Sequence, residues 1–86
     1  MNVEFQRNFE KLYDKLPTKV QARFKERLVL FIADPFDAIL RNHSLTGQWA
    51  GRRSINITGD YRAIYKVADE NTALFEAIGT HSELYG

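Results

Sequence analysis

Apolar residues in the first third of the chain lie mostly at helical spacing. Before them, Val3 and Phe5 share one side of an alternating stretch, which predicts a short first strand. A first helix is predicted by the next apolar positions, which are Phe9, Leu12, Tyr13 and Leu16. Pro17 interrupts this period, and the Thr18-x-x-Gln21 spacing predicts a capping box that begins a second helix. The apolar stripe of that helix consists of Val20, Phe24, Leu28, Phe31 and Ile32.

The pattern changes from helical to alternating in the second half of the chain. Asp34-Pro35 ends the second helix, because proline removes a backbone donor and clashes with the preceding turn. Residues 36–40 are expected to add a short helical turn, and residues 42–51, with two glycines, are expected to form a loop. Ile55 and Ile57 then alternate with polar residues, which predicts a strand.

Two more strands are predicted at residues 61–67 and 72–78. Turn signals precede both, at Gly59-Asp60 and at residues 69–71, and residues 80–86 are expected to form a tail. The order of one strand, two helices and three strands predicts an α+β fold. Two N-terminal helices would pack on one face of a small, twisted antiparallel sheet. At 86 residues the chain is expected to be a single domain spanning residues 1–86.

Composition narrows the class of protein. The chain has no cysteine, which excludes disulfides and thiolate metal sites and suits a reducing compartment. No apolar run approaches the roughly 20 residues that a membrane span needs, and residues 1–4 show no secretion signal. A cytoplasmic protein without a membrane partner is therefore expected.

The charge is almost balanced overall but unevenly distributed. The formal net charge is +1. Between residues 41 and 66 a single acid, Asp60, stands against five bases, which are Arg41, Arg52, Arg53, Arg62 and Lys66. This local basic stretch is compatible with a polyanionic partner.

The same half of the chain contains the residue types that metal-free RNA cleavage requires. A base must accept the proton of a ribose 2′-OH, an acid must protonate the leaving 5′-oxygen, and a cation must stabilise the phosphate charge. Histidine suits the first two roles and arginine the third. This half of the chain contains both histidines, His43 and His81, as well as Arg62. Aromatic residues such as Tyr85 can stack on unpaired bases. Two histidines without clustered carboxylates are a poor metal site, so neither a metal nor another cofactor is expected.

A connected series of motifs carries a family resemblance. It runs through His43-Ser44-Leu45-Thr46-Gly47, Trp49-x-Gly51-x-Arg53, Gly59-Asp60-Tyr61-Arg62-x-Ile64-Tyr65 and Ile78-Gly79-Thr80-His81-x-x-Leu84-Tyr85. From about residue 40 to residue 86 this series resembles the YafQ-like branch of the RelE/ParE toxin superfamily. The resemblance implies a RelE-like fold. It also implies a ribosome-dependent messenger RNA endoribonuclease that is neutralised by a cognate antitoxin, with the ribosome and messenger RNA as further partners.

The resemblance also implies roles for individual residues. His43, Asp60, His81 and Tyr85 match positions of the family's active site, and Arg62 is similar to the arginine of the RelE-type central strand. His81 would be the general acid, His43, with or without Asp60, the base, and the product a 2′,3′-cyclic phosphate. One position departs from the family, because Asn56 stands where YafQ-like toxins have a further histidine. A binding role for RNA is assigned to Arg52, Arg53 and Lys66.

Structural interpretations of these residues stay open at this point. Asp60 is equally explained as a turn residue. Arg62 could pair with Glu76 across the sheet, and Arg53 could support its own loop. Tyr65 is expected in the core and Trp49 as a packing anchor.

Two other functions also stay open. One is a ParE-like toxin that poisons DNA gyrase, a class that lacks this histidine set. The other is a degenerate member that only binds its antitoxin, which the departure at Asn56 keeps possible.

Overall fold

The computed structural model describes residues 1–86 as a five-stranded sheet with helices against it. The strands are β1 (Asn2–Phe5), β2 (His43–Ser44), β3 (Arg53–Asn56), β4 (Tyr61–Asp69) and β5 (Thr72–Thr80). The α-helices are α1 (Arg7–Asp14), α2 (Thr18–Ala33) and α3 (His81–Tyr85). Short 3-10 turns occupy Ala38–Leu40 and Gly47–Trp49. The expected α+β class is confirmed, whereas the number of strands and helices is larger than expected.

The sheet is not purely antiparallel. Its strand order is β1-β5-β4-β3-β2, and β1 runs parallel to β5 with Val3 opposite Ala73. The other three pairs are antiparallel. The prediction of an antiparallel sheet is therefore wrong for β1. Alternating apolar residues indicate which side of a strand is buried, but they carry no information about the direction of the strand beside it.

An aromatic core lies between α1, α2 and one face of the sheet. Phe75 of β5 is at its centre, and its ring centroid lies 5.8 Å from that of Phe24 and 5.3 Å from that of Phe31. Phe31 also meets Tyr65 of β4 edge to face at 5.0 Å. Aromatic pairs in these geometries add about 0.5–1.5 kcal/mol each beyond the area they bury. Tyr65 is thus a core residue, as predicted.

The start of α2 differs from the sequence prediction. Pro17 is the N-cap and makes no side-chain capping bond, so the capping box predicted from Thr18 is wrong. The Gln21 side chain instead donates to the Tyr13 carbonyl at 2.8 Å, and the Tyr13 hydroxyl donates to the Gln21 carbonyl at 3.3 Å. These reciprocal bonds tie α1 to α2. At the other end of the predicted apolar stripe, Ile32 is 43% exposed and lies outside the core.

The C-terminal segment that was expected to be a tail is helix α3. Thr80 caps it with a complete capping box: Glu83 N donates to Thr80 Oγ1, and Thr80 N donates to Glu83 Oε1 at 2.7 Å. Gly79 allows this close approach, because a Cβ there would lie 3.1 Å from Glu83 Oε1. Leu84 packs beneath the helix against Ile64 and Ala77, on the face of the sheet opposite the aromatic core.

The segment expected to be one loop contains β2 and the second 3-10 turn. β2 extends the sheet at its edge, with His43 opposite Ser54 of β3. None of the helices combines the length and the apolar character that crossing a bilayer would require.

Candidate active site

A cleft of about 510 Å³ opens on the sheet between β2, β3, β4 and α3. The ionisable, amide and aromatic side chains that line it belong to Arg41, His43, Asn56, Arg62, His81 and Tyr85. On β4, Ala63 and Tyr65 belong to the aromatic core, so the alternation of the strand directs Arg62 to the opposite face. Four of the five residues predicted to be catalytic therefore share one cleft.

His43 enters the cleft from the short edge strand β2. Its Nδ1 atom lies 2.9 Å from the backbone carbonyl oxygen of Arg41. A carbonyl oxygen only accepts hydrogen bonds, so Nδ1 donates and carries the proton of the neutral ring. The other nitrogen, Nε2, is then left with a free lone pair. In the neutral ring, Nε2 is therefore the nitrogen that can accept a proton.

Arg41 holds that carbonyl in an uncommon backbone conformation. Its φ is +47° and its ψ +46°, and it is the only non-glycine residue with a positive φ. A left-handed conformation costs a non-glycine residue roughly 1–2 kcal/mol. The arginine side chain at this position lines the cleft together with the histidine that its carbonyl orients.

Arg62 is the second residue of the central strand β4 and stands beside Asn56 of β3 in the sheet register. Its Nη1 donates to the carbonyl oxygens of Thr58 and Gly59 at 3.2 and 3.1 Å, in the turn before the strand. Those bonds, with one more to its neighbour Tyr61, hold the guanidinium at the end of the strand. Nε and Nη2 make no hydrogen bond within the protein and remain able to donate to a phosphate.

His81 and Tyr85 enter the cleft from α3. They stand four residues apart on the helix, and their ring centroids are 4.7 Å from each other. The backbone N–H of His81 donates to the Asp60 carbonyl at 3.2 Å, which joins the start of α3 to the turn before β4. The helix is also held from the other side, because Trp49 Nε1 donates to the Leu84 carbonyl at 2.9 Å. Trp49 is thus a packing anchor, as predicted.

Asp60 is the predicted catalytic residue that the structure leaves outside the cleft. Its side chain is exposed in the turn before β4 and makes no hydrogen bond. Only its backbone contributes to the site, through the carbonyl that accepts from His81. The turn interpretation therefore accounts for the position of Asp60, and the carboxylate is not placed to share the role of a base with His43.

Two of the three arginine and lysine residues assigned to RNA binding are engaged elsewhere. Arg52 forms an ion pair with the buried Glu76, with Nε 2.8 Å from Oε1. The hydrogen bond that Arg52 donates to Glu76, and the negative charge of Glu76, raise the pKa of Arg52. Arg53 donates to Asn42 Oδ1 at 2.8 Å and lies over the Phe36 ring. Both arginines therefore have structural partners, whereas Nη1 and Nη2 of Arg53 make no hydrogen bond within the protein. Their assignment to RNA binding stays a prediction.

Arg62 does not form the cross-sheet ion pair with Glu76 that the sequence left open. Glu76 accepts from Arg52 rather than from Arg62, because it lies in the irregular part of the β4–β5 pairing and faces Gln6 and Arg52. Lys66, the third residue assigned to RNA, is half-buried on β4 and does not line the cleft. Its role stays a prediction.

The electrostatic character of the cleft suits an anion. Two guanidinium groups and two imidazoles line it, and no aspartate or glutamate does. No three histidine or acidic side chains lie close enough together to hold a metal ion. The structural part of Arg41 was not predicted, because it depends on the left-handed backbone of that residue. The cap of α3 was not predicted either, although Thr80-x-x-Glu83 is the spacing of a capping box.

Solved structures similar to this one include bacterial toxins. YafQ from Escherichia coli strain BL21(DE3) superposes with a TM-score of 0.82 at 26% identity, over 99% of this chain and 98% of that one. The toxin in the Escherichia coli DinJ-YafQ toxin-antitoxin complex superposes with a TM-score of 0.79 at 26% identity, covering 99% and 97% of the two chains. The chain thus has the fold of this class of toxins.

The sequence comparison is more specific. The family described as "Bacterial toxin of type II toxin-antitoxin system, YafQ" matches residues 1–86, and the chain belongs to this family. A curated relative, the mRNA interferase toxin YafQ of Escherichia coli K12, is 38% identical over 52 residues. That match covers 60% of this chain and spans about 55% of the length of the relative.

Proposed function

We propose that this protein is the toxin of a type II toxin–antitoxin pair and that it cleaves messenger RNA on the ribosome. The observation that carries the proposal is the meeting of His43, Arg62 and His81 in one cleft, although they come from β2, β4 and α3. A cleft with this composition contains the groups needed for phosphodiester cleavage. The name of the curated relative, an mRNA interferase, agrees with that chemistry.

The proposed reaction is an attack of a ribose 2′-oxygen on the adjacent phosphorus. His43 accepts the 2′-OH proton on Nε2 as the oxygen–phosphorus bond forms, and the lone pair is available because Nδ1 is bonded to a carbonyl. Arg62 stabilises the charge on the phosphate oxygens. His81 donates a proton to the 5′-oxygen as its bond to phosphorus breaks. The products are a 2′,3′-cyclic phosphate and a 5′-hydroxyl, and no metal ion takes part.

Tyr85 and Asn56 complete the proposed site. Tyr85 packs against His81 and offers an aromatic face to an unpaired base. Asn56 stands beside Arg62, where YafQ-like toxins have another histidine. Asparagine does not act as a base, so the proton transfer from the 2′-OH is assigned to His43 alone.

The proposed partner that controls the toxin is a cognate antitoxin. A relative of the same fold has been solved as the DinJ-YafQ toxin-antitoxin complex, which supports an equivalent partner for this chain. The place of action would be the cytoplasm, where messenger RNA is translated. Copurification with the product of the neighbouring reading frame tests this partner, and its failure under conditions in which both proteins are folded would argue against it.

Primer extension on a translated message tests the activity. Induction of the protein is expected to arrest growth and to produce breaks within translated codons, ending in a cyclic phosphate. His81→Ala removes the proposed acid and should abolish both effects. Ser82→Ala is the matched control, since Ser82 is exposed on the same helix and does not line the cleft.

The other functions give different results in the same experiment. A toxin acting on gyrase would cause DNA damage without breaks in the message, and a degenerate member would leave growth unaffected. Full toxicity of His81→Ala would show that the assignment of roles is wrong.

A further inference from the structure

A second groove, of about 360 Å³, leads from the cleft to the side of α2. It shares Arg41, Asn56 and Arg62 with the cleft, and its far side is formed by Arg23 and Arg27. We propose that this groove binds the phosphates of the RNA strand that flanks the cleaved linkage. The proposal rests on the function proposed above and adds to it a binding surface outside the cleft.

The arginines on α2 form a row along one side of the helix. Arg23 and Arg27 are four residues apart and therefore neighbours on the helix surface, and Lys19 lies one turn earlier on the same side. The core residues Val20, Phe24 and Phe31 hold the adjacent face of α2 against the sheet. The row is thus held in a set orientation beside the end of β3 and the start of β4.

The groove offers positive charge without competing carboxylates in its walls. Four guanidinium groups line it, and none of its lining residues is acidic. Arg23 Nε does contact Glu26 Oε2 at 3.2 Å, with the two side chains 46% and 68% exposed. An ion pair that exposed adds little stability, so a phosphate can replace it at little cost. No hydrogen bond within the protein engages the guanidinium groups of Arg27 and Arg41.

Continuity with the cleft favours RNA over an acidic protein segment as the ligand. An RNA with its reacting phosphate at Arg62 has to leave the cleft on both sides of that phosphate. Arg41 and Arg62 lie where the cleft and the groove join, so a strand leaving on this side passes directly between them and the α2 row. Guanidinium groups along such a path bind phosphates without regard to base sequence.

The test measures binding rather than cleavage. The probe is a fluorescent twelve-nucleotide single-stranded RNA with 2′-O-methyl riboses, which cannot react, and affinity is measured by anisotropy over a range of salt concentrations. In single-stranded nucleic acid each contacted phosphate contributes about 0.7 to the slope of log affinity against log salt. The variant Arg23→Gln/Arg27→Gln should bind more weakly, with a slope smaller by about 1.4 for two lost contacts.

The matched control is Lys11→Gln/Lys25→Gln. It removes the same charge from exposed side chains, and Lys25 lies on the opposite side of α2, where it lines a separate groove between α1 and α2. This control should keep the wild-type slope, and a 2′-O-methyl dinucleotide, which fills only the cleft, should bind all three proteins equally. The single variant Arg23→Gln, at an exposed position, should lose about half of the slope difference and serves if the double variant does not fold.

The proposal is overturned if the double variant keeps the wild-type slope, or if it loses no more than the lysine control. Affinity for the cognate antitoxin is measured in parallel, and a loss confined to the antitoxin would assign the groove to that protein instead. Failure of the proposed nuclease function looks different. In that case the wild-type protein would produce no breaks in a translated message, whatever the arginine variants bind.

Discussion

His43 donates its Nδ1 hydrogen to the backbone carbonyl oxygen of Arg41 over 2.9 Å, and Arg41 has a left-handed backbone. This hydrogen bond connects the backbone conformation of Arg41 with the position of the proton on the His43 ring. The backbone bend at Arg41 turns a carbonyl toward the ring, and the carbonyl then determines which ring nitrogen is free. The base role proposed for His43 therefore depends on the residue two positions before it.

Replacing His43 with asparagine separates the hydrogen bond to the Arg41 carbonyl from the basic nitrogen Nε2. Asparagine places an amide donor near the position of Nδ1, so the bond to the Arg41 carbonyl and the local fold should persist. It supplies nothing in place of Nε2, so RNA cleavage should be lost. The measurements are primer extension for activity and urea unfolding for stability.

The tautomer itself is checked by nitrogen-15 NMR of the wild-type protein. The spectrum of the neutral ring should show a protonated Nδ1 and a bare Nε2. A neutral ring protonated on Nε2 would contradict the proposed role, and so would wild-type cleavage by His43→Asn.

The contact between His81 and Tyr85 predicts different effects for two substitutions. Tyr85→Phe keeps the ring that lies 4.7 Å from the imidazole and should retain most of the activity. Tyr85→Ala removes the ring, and the rate should fall roughly tenfold or more, since base–aromatic stacking contributes about 1–3 kcal/mol. Cleavage rates on a translated message check this. Equal rates for the two variants would show that the aromatic ring has no part in the reaction.

The ion pair between Arg52 and Glu76 predicts a loss of stability without a loss of RNA affinity. Arg52→Gln leaves the buried Glu76 without its cationic partner, and an unpaired buried carboxylate is unfavourable. The urea midpoint should fall further than in Arg23→Gln, whose ion pair is exposed.

Adding Glu76→Gln to Arg52→Gln should restore part of the midpoint, because the buried charge is then removed as well. RNA affinity of the folded Arg52→Gln protein should equal that of the wild type. A clear reduction in its salt slope would instead place Arg52 among the RNA-binding residues.

The capping box of α3 predicts that this helix is less stable at low pH. The backbone and side-chain hydrogen bonds with Thr80 lower the pKa of Glu83 from its ordinary value of 4.5. A carboxyl with a lowered pKa in the folded state stabilises the protein above its unfolded-state pKa, and this contribution is lost as the pH falls through the folded value. The hydrogen-exchange protection of the α3 amides should therefore decrease below about pH 4.5.

Glu83→Gln should remove that part of the pH dependence, since glutamine does not titrate. The matched control is Glu70→Gln, an exposed glutamate in the turn before β5, which should leave the dependence unchanged. Protection of α3 in the wild-type protein that stays constant as the pH is lowered to 3 would contradict a role of the Glu83 carboxylate in the cap.

Several elements were predictable from local patterns because their causes are local. Helical spacing from Phe9 onward and the alternation around Ile55 depend only on residues that are near each other in the chain. The capping box shows the limit of such patterns. The same spacing is present at Thr18 and at Thr80, but only Thr80 is an N-cap. Helix α2 has Pro17 as its N-cap, so Thr18 is already inside the helix, and the Gln21 side chain donates to Tyr13.

The sequence by itself determined the periods of the helices and strands, the motif series that relates the chain to its family, and the residue types available for chemistry. The tertiary structure alone decided the direction of β1, the choice of Arg52 over Arg62 as the partner of Glu76, and the exclusion of the Asp60 carboxylate from the cleft. The physical reason is the separation along the chain of the residues involved. A repeating pattern reports on neighbours in the chain, whereas the meeting of His43, Arg62 and His81 depends on how distant strands pair and how α3 folds back over the sheet.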